Sequence, residues 1–112
     1  MVKMILLLQR RADMSAADFK NYYETRHAVL GRKLLHNALR YQRRYLQGMG
    51  AGAGEPYDSM TEVWSADQAA MEAALGRAAE PENAALLAAD EANLFDRSKI
   101  RFYVVSDELA SA

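Results

Sequence analysis

The sequence has 112 residues, 51% of them hydrophobic and 26% charged, which is the balance of one folded globular domain. Its 14 basic and 15 acidic residues give a net charge of −1, which provides no electrostatic attraction for nucleic acid or an anionic membrane. The sequence has no cysteine, which excludes disulfides, thiolate metal sites and cysteine nucleophiles and fits a cytoplasmic protein.

The first half of the chain predicts a strand, a helix and a second strand. The apolar run that opens the chain is too short to cross a bilayer and is typical of a strand. Ser15 stands three residues before Asp18, which predicts a capped helix start, and Gly31 is a candidate helix end. The predicted elements are a strand over 2–9, a helix over 15–30 and a strand over 39–46.

The second half repeats this order after a glycine-rich loop. Ser65 and Gln68 predict another capped helix start, and Pro81 suits the first turn of a further helical segment. The predicted elements are a loop over 47–56, a strand over 57–64, a helix over 65–78, a helical segment over 82–94 and a strand over 100–105. We expect one domain over 1–107 and a disordered tail over 108–112.

The order strand, helix, strand, strand, helix, strand predicts an α+β fold. Two split βαβ units of this kind form a ferredoxin-like four-stranded antiparallel sheet with helices on one face. The first and last predicted strands are apolar on both faces, although a sheet with one wet face alternates apolar with polar residues. We therefore expect a homodimer in which the sheets pack face to face. A last helix or a tail that wraps over the open face is the alternative.

The first helix carries a histidine beside its apolar stripe. At about 100° per residue from Phe19, Arg26 falls at about 340°, inside the buried arc, and His27 at about 80°, at its edge. A half-buried histidine of this kind is either a structural residue or a base.

The last helical segment carries a carboxylate in its apolar stripe. Asp90 lies about 40° from Leu86, and an unpaired buried charge is costly, so Asp90 needs a partner. One candidate is His27, whose tautomer the carboxylate would fix, leaving the other ring nitrogen as a base. The other candidate is Arg26, in an ion pair that only joins two helices.

Aromatic and acidic side chains form a second tier of candidates. Tyr22 and Tyr23 share the helix with His27, Glu62 and Trp64 share one face of the third strand, and Tyr103 lies on the last strand. For Glu62 we favour a structural ion pair, and for Trp64 a place in the core. Two histidines and scattered acids have no metal-ligand spacing, so the sequence predicts neither a metal site nor a cofactor.

Three stretches in the same order resemble the EthD family of dimeric α/β barrels. They are Phe19-x-x-Tyr22-Tyr23-x-x-x-His27, Glu62-Val63-Trp64 and Asp90-Glu91-x-Asn93-Leu94-Phe95-Asp96. The resemblance covers roughly residues 2–105, and the glycine-rich loop is the main departure from it. It implies a ferredoxin-like protomer, a homodimer through the sheets and a pocket between sheet and helices.

The resemblance also implies a range of activities. Similar pockets in the wider superfamily belong to cyclases, isomerases, lyases and cofactor-independent monooxygenases. Our hypothesis is a cofactor-independent lyase, cyclase or isomerase for an aromatic or polyketide-like carbonyl compound. In it His27 is the base, Asp90 orients His27, and Tyr22 or Tyr23 polarises the carbonyl. The alternatives are a non-catalytic ligand-binding or accessory protein and a cofactor-independent monooxygenase.

Overall fold

A computed structural model describes residues 1–49 and 57–111 of the chain. Four antiparallel strands form one sheet in the order β2-β3-β1-β4, which confirms the predicted α+β class and element order. The strands are β1 (Val2–Leu8), β2 (Arg40–Tyr45), β3 (Ser59–Ser65) and β4 (Arg101–Val104). The helices are α1 (Ala16–Tyr22), α2 (Ala28–Leu34), α3 (Gln68–Ala79) and α4 (Pro81–Ala92), with a π-turn (Tyr23–His27) between α1 and α2 and a 3-10 turn (Arg97–Lys99) before β4. Residues 50–56 of the predicted glycine-rich loop lie outside the described residues.

Helix starts follow the capping residues with one exception. The Ser15 hydroxyl accepts a hydrogen bond from the Asp18 amide at 3.1 Å, and Pro81 stands in the first turn of α4, both as predicted. The predicted helix start at Ser65 is wrong, because Ser65 still pairs with Val2 in the sheet. Asp67 is the residue that caps α3, through a carboxylate that accepts from the Ala70 amide at 2.8 Å.

The first helical segment contains a π-turn that shifts its buried face by one residue. The Ala28 amide donates to the Tyr23 carbonyl, five residues earlier, so this turn holds one residue more than an α-helical turn. Consequently His27 is buried, whereas Arg26, which the regular wheel puts inside the buried arc, is exposed. The prediction for Arg26 is wrong for this reason.

Gly31 is not a helix end. The helix continues to Leu34, and Gly31 lies inside α2, buried against the ring of Tyr41. A Cβ atom at Gly31 would lie 2.7 Å from the Tyr41 hydroxyl. The glycine therefore permits the close approach of helix and sheet.

The core lies between the helices and one face of the sheet. Met4, Leu6 and Leu8 of β1 alternate toward the helices and lie opposite Val63, Thr61 and Ser59 of β3. From the helices, Phe19 and Tyr23 complete this core, with Leu94 and Phe95 from the end of α4 and the segment after it. None of the helices in the described ranges combines the length and the apolar character needed to cross a bilayer.

The other face of the sheet, here called the open face, carries the alternate strand residues. Its apolar members are Ile5, Leu7, Met60, Trp64 and Tyr103. At its centre the buried Glu62 carboxylate pairs with Arg44 and, at 3.3 Å, with Lys3, as the structural interpretation of Glu62 predicts. The Glu108 side chain from the C-terminal segment accepts a hydrogen bond from Lys3 at 3.0 Å, at one end of this face.

Candidate active site

A histidine–aspartate pair joins the π-turn to α4. His27 Nδ1 lies 2.6 Å from Asp90 Oδ2, and both side chains are largely buried. This contact resolves the two alternatives for Asp90, since its partner is His27 and the exposed Arg26 forms no ion pair among the described residues.

A tyrosine holds the other oxygen of Asp90. The Tyr22 hydroxyl donates to Asp90 Oδ1 at 2.9 Å, and the Asn93 side-chain amide donates to Tyr22 at 3.4 Å. Burial, followed by the hydrogen bond to Asp90, raises the pKa of Tyr22, so its hydroxyl keeps the proton that it donates. Tyr22 is thus a positioning residue for Asp90 and does not line the adjacent cavity.

The pairing fixes the chemistry of the imidazole. A carboxylate can only accept hydrogen bonds, so with Asp90 ionised the hydrogen of the neutral ring lies on Nδ1, which donates to Asp90. The lone pair is then on Nε2, which forms no hydrogen bond within the part of the chain that the structure describes. The His27 side chain is also one of those that line a cavity.

The cavity lies between the sheet and the helices and has a volume of about 160 Å³. Its wall is mostly apolar, and it includes Met4, Leu6, Leu8, Leu34, Val63 and Phe95. The rings of Tyr23 and Phe95 meet the His27 ring edge to face, at centroid distances of 4.9 and 5.8 Å. An apolar cavity of about 150 Å³ is large enough to bind benzene, so this cavity fits a single ring.

Two hydroxyl groups lie on the sheet side of the cavity. The Tyr23 hydroxyl and the Thr61 hydroxyl are 2.5 Å apart, and either one can donate to the other. Burial raises the pKa of Tyr23, which keeps its phenol neutral. Tyr41 lines the cavity beside this pair, and a hydrogen bond between its side chain and that of Tyr23 contributes to the pKa shifts of both tyrosines.

Glu91 is a cavity residue to which the sequence analysis gives no role. Glu91 lines the cavity from α4, next to Asp90, and burial raises the pKa of its carboxyl. The wheel drawn from Leu86 misses it, because Leu86 is 53% exposed. A wheel drawn from Leu87, which does line the cavity, puts Glu91 four residues along the same face.

The sheet separates the remaining predicted residues from His27. Glu62, Trp64 and Tyr103 lie on the open face, where Trp64 contacts Lys3 at 4.5 Å and Arg40 at 5.3 Å from its ring centroid. Strand residues alternate between faces, so none of these three reaches the cavity beneath the helices. Within residues 1–49 and 57–111, no three histidine or acidic side chains cluster as metal ligands would.

A protein-family model described as the EthD domain matches residues 11–98. This chain belongs to the EthD family. The resemblance carried by the three sequence stretches is therefore confirmed, and in this EthD protein two of them meet at the cavity. The stretch from Phe19 to His27 contributes His27, and the stretch that begins at Asp90 contributes the carboxylate that His27 contacts.

Solved structures confirm the ferredoxin-like fold. An EthD family protein from Bacillus halodurans C-125 has a TM-score of 0.66 and 20% identity over 96% of this chain and 99% of that chain. An EthD-like protein from Ralstonia eutropha JMP134 has a TM-score of 0.62 and 17% identity over 93% and 89%. A protein from Bacteroides fragilis, described as dimeric, of unknown function and ferredoxin-like, has a TM-score of 0.59 and 15% identity over 93% of each chain. No curated protein sequence matches this EthD chain.

Proposed function

We propose that this EthD protein is a cofactor-independent lyase, cyclase or isomerase that removes a proton next to a carbonyl group. The observation that carries the proposal is the His27–Asp90 contact of 2.6 Å at the wall of an apolar cavity. An imidazole that is oriented by a carboxylate and open to a ligand on its other nitrogen is the arrangement of a general base. Such a base contributes about 10²–10⁴-fold to a rate, which suits an already activated carbon acid.

The proposed reaction gives a role to each group beside the cavity. His27 Nε2 takes the proton from carbon, and the Asp90 carboxylate stabilises the imidazolium that forms. The electron pair of the broken C–H bond moves toward the carbonyl oxygen, where the hydroxyl pair of Tyr23 and Thr61 supplies a hydrogen bond. Return of the proton to another atom completes an isomerisation, and loss of a leaving group completes an elimination.

The cavity volume supports a ligand of about one ring. Aromatic or polyketide-like carbonyl compounds combine an apolar ring with a carbonyl oxygen, which matches an apolar wall with a few polar groups. The largely apolar lining favours neutral ligands over charged ones.

Deuterium exchange tests the proposal without knowledge of the natural substrate. The protein is mixed with acetophenone in D₂O, and deuterium uptake into the methyl group is followed by NMR. We expect deuterium uptake to be faster with the natural chain than without protein. In His27→Ala the rate of uptake should fall by about 100-fold, since the base is removed. Asp90→Asn is also expected to be slow, because an amide can favour the wrong tautomer of His27.

His36→Ala is the matched control, because His36 is exposed at the end of α2. Equal uptake with His27→Ala and the natural chain would contradict the proposal. Binding of acetophenone without any uptake would favour the ligand-binding role instead. Loss of all turnover in the absence of oxygen would favour the monooxygenase.

We further propose that two copies pair through the open face. Ile5, Leu7 and Met60 give this face an apolar patch, and such a patch is unfavourable in water. The Bacteroides fragilis relative is described as dimeric, which supports a homodimer here. Two-fold symmetry would cover both patches at once.

A further inference from the structure

Glu91 is a partly buried acid that the proposed base chemistry does not use. Its side chain is 19% exposed and lines the same cavity as His27, on the helix side. Among the described residues it forms one ion pair, with Arg97, whose Nε lies 3.5 Å from Glu91 Oε1 and whose side chain is 57% exposed. At that distance and exposure Arg97 compensates the charge of Glu91 weakly.

The surroundings of Glu91 favour its neutral form. Burial raises the pKa of its carboxyl, the charge of Asp90 acts in the same direction, and the charges of His27 and Arg97 oppose them. The other ionisable groups that line the cavity are Tyr23 and Tyr41. On α3, the Arg77 guanidinium is held by the Leu34 carbonyl at 2.5 Å instead. A neutral carboxyl carries a hydrogen that can be donated, and among the described residues Glu91 makes no side-chain hydrogen bond.

The position of Glu91 complements the hydroxyl pair. Thr61 belongs to β3 and lies on the sheet side of the cavity, whereas Glu91 belongs to α4 on the helix side. A ligand that extends from the sheet to the helices therefore meets a donor at each end, with the apolar wall between them.

Building on the function proposed above, we propose that Glu91 is the specificity-determining hydrogen-bond donor of this cavity. Its protonated carboxyl binds a second acceptor oxygen of a neutral ring compound whose first oxygen lies at Tyr23 and Thr61. When Glu91 is ionised, its charge and that of Asp90 exclude a ligand that carries a carboxylate there. The ligand class is thus a neutral aromatic dicarbonyl or a compound of equivalent shape.

Three probes of matched shape test this assignment. They are acetophenone with one acceptor oxygen, 1,4-diacetylbenzene with an acceptor at each end, and 4-acetylbenzoate with a charge at the second end. We expect the natural chain at low pH to bind 1,4-diacetylbenzene about tenfold more tightly than acetophenone, the value of one added hydrogen bond. At a pH above the raised pKa of Glu91, where this carboxyl is ionised, the natural chain should bind 4-acetylbenzoate much more weakly than 1,4-diacetylbenzene.

Two variants assign these effects to Glu91. Glu91→Leu should lose the preference for 1,4-diacetylbenzene and still bind acetophenone. Glu91→Gln should keep that preference at every pH, because an amide donates in any case, and should bind 4-acetylbenzoate better than the natural chain does. In the natural chain the preference should fall as the pH rises from 4.5, the ordinary pKa, through the raised pKa of Glu91. Glu72→Gln, an exposed change on α3, should leave all three affinities unchanged.

Several results would overturn the assignment. These are an undiminished preference in Glu91→Leu, equal binding of 4-acetylbenzoate and 1,4-diacetylbenzene by the natural chain at a pH where Glu91 is ionised, or the same pH dependence in Glu91→Gln as in the natural chain. If Glu91→Leu does not fold, Glu91→Gln still tests the assignment, since its side chain differs from that of glutamate by a single heavy atom. The deuterium-exchange experiment is separate: failed exchange with the expected binding pattern removes the catalytic proposal and leaves the role of Glu91 intact.

Discussion

At the scale of single residues, the carboxylate of Asp90 determines what His27 can do. Asp90 accepts one hydrogen bond from His27 and another from Tyr22, so both of its oxygens are held. Held in this way, it fixes the tautomer and the orientation of the imidazole together. In the reaction proposed above, Tyr22 would therefore act through Asp90, since it is not one of the residues that line the cavity.

Replacing either of two glycines by alanine should change the free energy of unfolding, in opposite directions at the two positions. Gly31→Ala puts a Cβ 2.7 Å from the Tyr41 hydroxyl, and we expect the free energy of unfolding to fall by about 1 kcal/mol or more, because overpacking exceeds the helix preference of alanine. Gly76→Ala in α3 meets nothing within 4 Å, and we expect it to raise the free energy of unfolding by about 0.5–1 kcal/mol. Urea unfolding of both variants measures the difference. A Gly31→Ala protein as stable as Gly76→Ala would contradict the packing described here.

The sequence predicts some of the site residues, because the free-energy cost of burying an unpaired charge is known without a structure. An acid in an apolar stripe needs a partner, and this argument leads to Asp90 with His27 as one of two candidates. The same argument applies to Glu91, but the stripe drawn from Leu86 does not include it. Whether a leucine at a helix surface is buried depends on what packs there, and the sequence does not provide that.

At the scale of elements, the π-turn explains why the regular helical wheel misplaces Arg26 and His27. The sequence from Tyr23 to His27 has no proline or glycine that marks an irregular turn. The extra residue brings His27 to the inward face, where it meets Asp90 of α4. The strands were easier to predict, since alternation along β1 depends only on neighbouring residues.

An ion pair joins this irregular segment to the sheet. The Arg43 side chain of β2 donates twice to the Glu24 carboxylate, both at 2.7 Å, and the Tyr45 hydroxyl donates once at 2.5 Å. The hydrogen bonds from Arg43 lower the pKa of Glu24 to about 2. The contact thereby fixes the π-turn against the strand that carries Tyr41 and Tyr45.

This ion pair predicts a pH-dependent stability. Because the folded pKa of Glu24 lies below its ordinary value of 4.5, the stabilisation is present above pH 4.5 and is lost as the pH falls toward 2. We expect Glu24→Gln to lower the melting temperature near neutral pH, with the gap to the natural chain closing in acid. Thermal unfolding followed by circular dichroism between pH 2 and 7 measures the gap. The exposed Glu72→Gln serves as the control, and a constant gap for Glu24→Gln would disprove the assignment.

At the scale of the whole molecule, the sheet separates the cavity on its helix side from the apolar patch on its open face. Its helix side encloses the cavity, and its open face carries the patch through which we propose that two copies pair. Both apolar faces of β1 were visible in the sequence, so the open face could be predicted. The identity of the ligand could not, because cavity shape depends on side chains from several elements at once.

The proposed pairing gives a whole-molecule prediction. Leu7→Glu puts a charge in the apolar patch of the open face, and we expect the protein to sediment as a single copy, because a buried unpaired charge is costly. Leu86→Glu is the matched control, since Leu86 is 53% exposed on α4, away from that face. Sedimentation velocity at micromolar concentration, with circular dichroism to verify folding, compares the two. A Leu7→Glu protein that sediments like Leu86→Glu would refute pairing through this face.

The alternation along β1 has a consequence for engineering. Met4 and Leu6 line the cavity, while Ile5 and Leu7, one position away, belong to the open face. A library that randomises the even-numbered positions of β1 would change the cavity wall and spare the proposed contact between subunits. A library over the odd-numbered positions would do the reverse. Ligand selectivity and subunit pairing can thus be evolved in separate rounds, at alternating positions of one seven-residue strand.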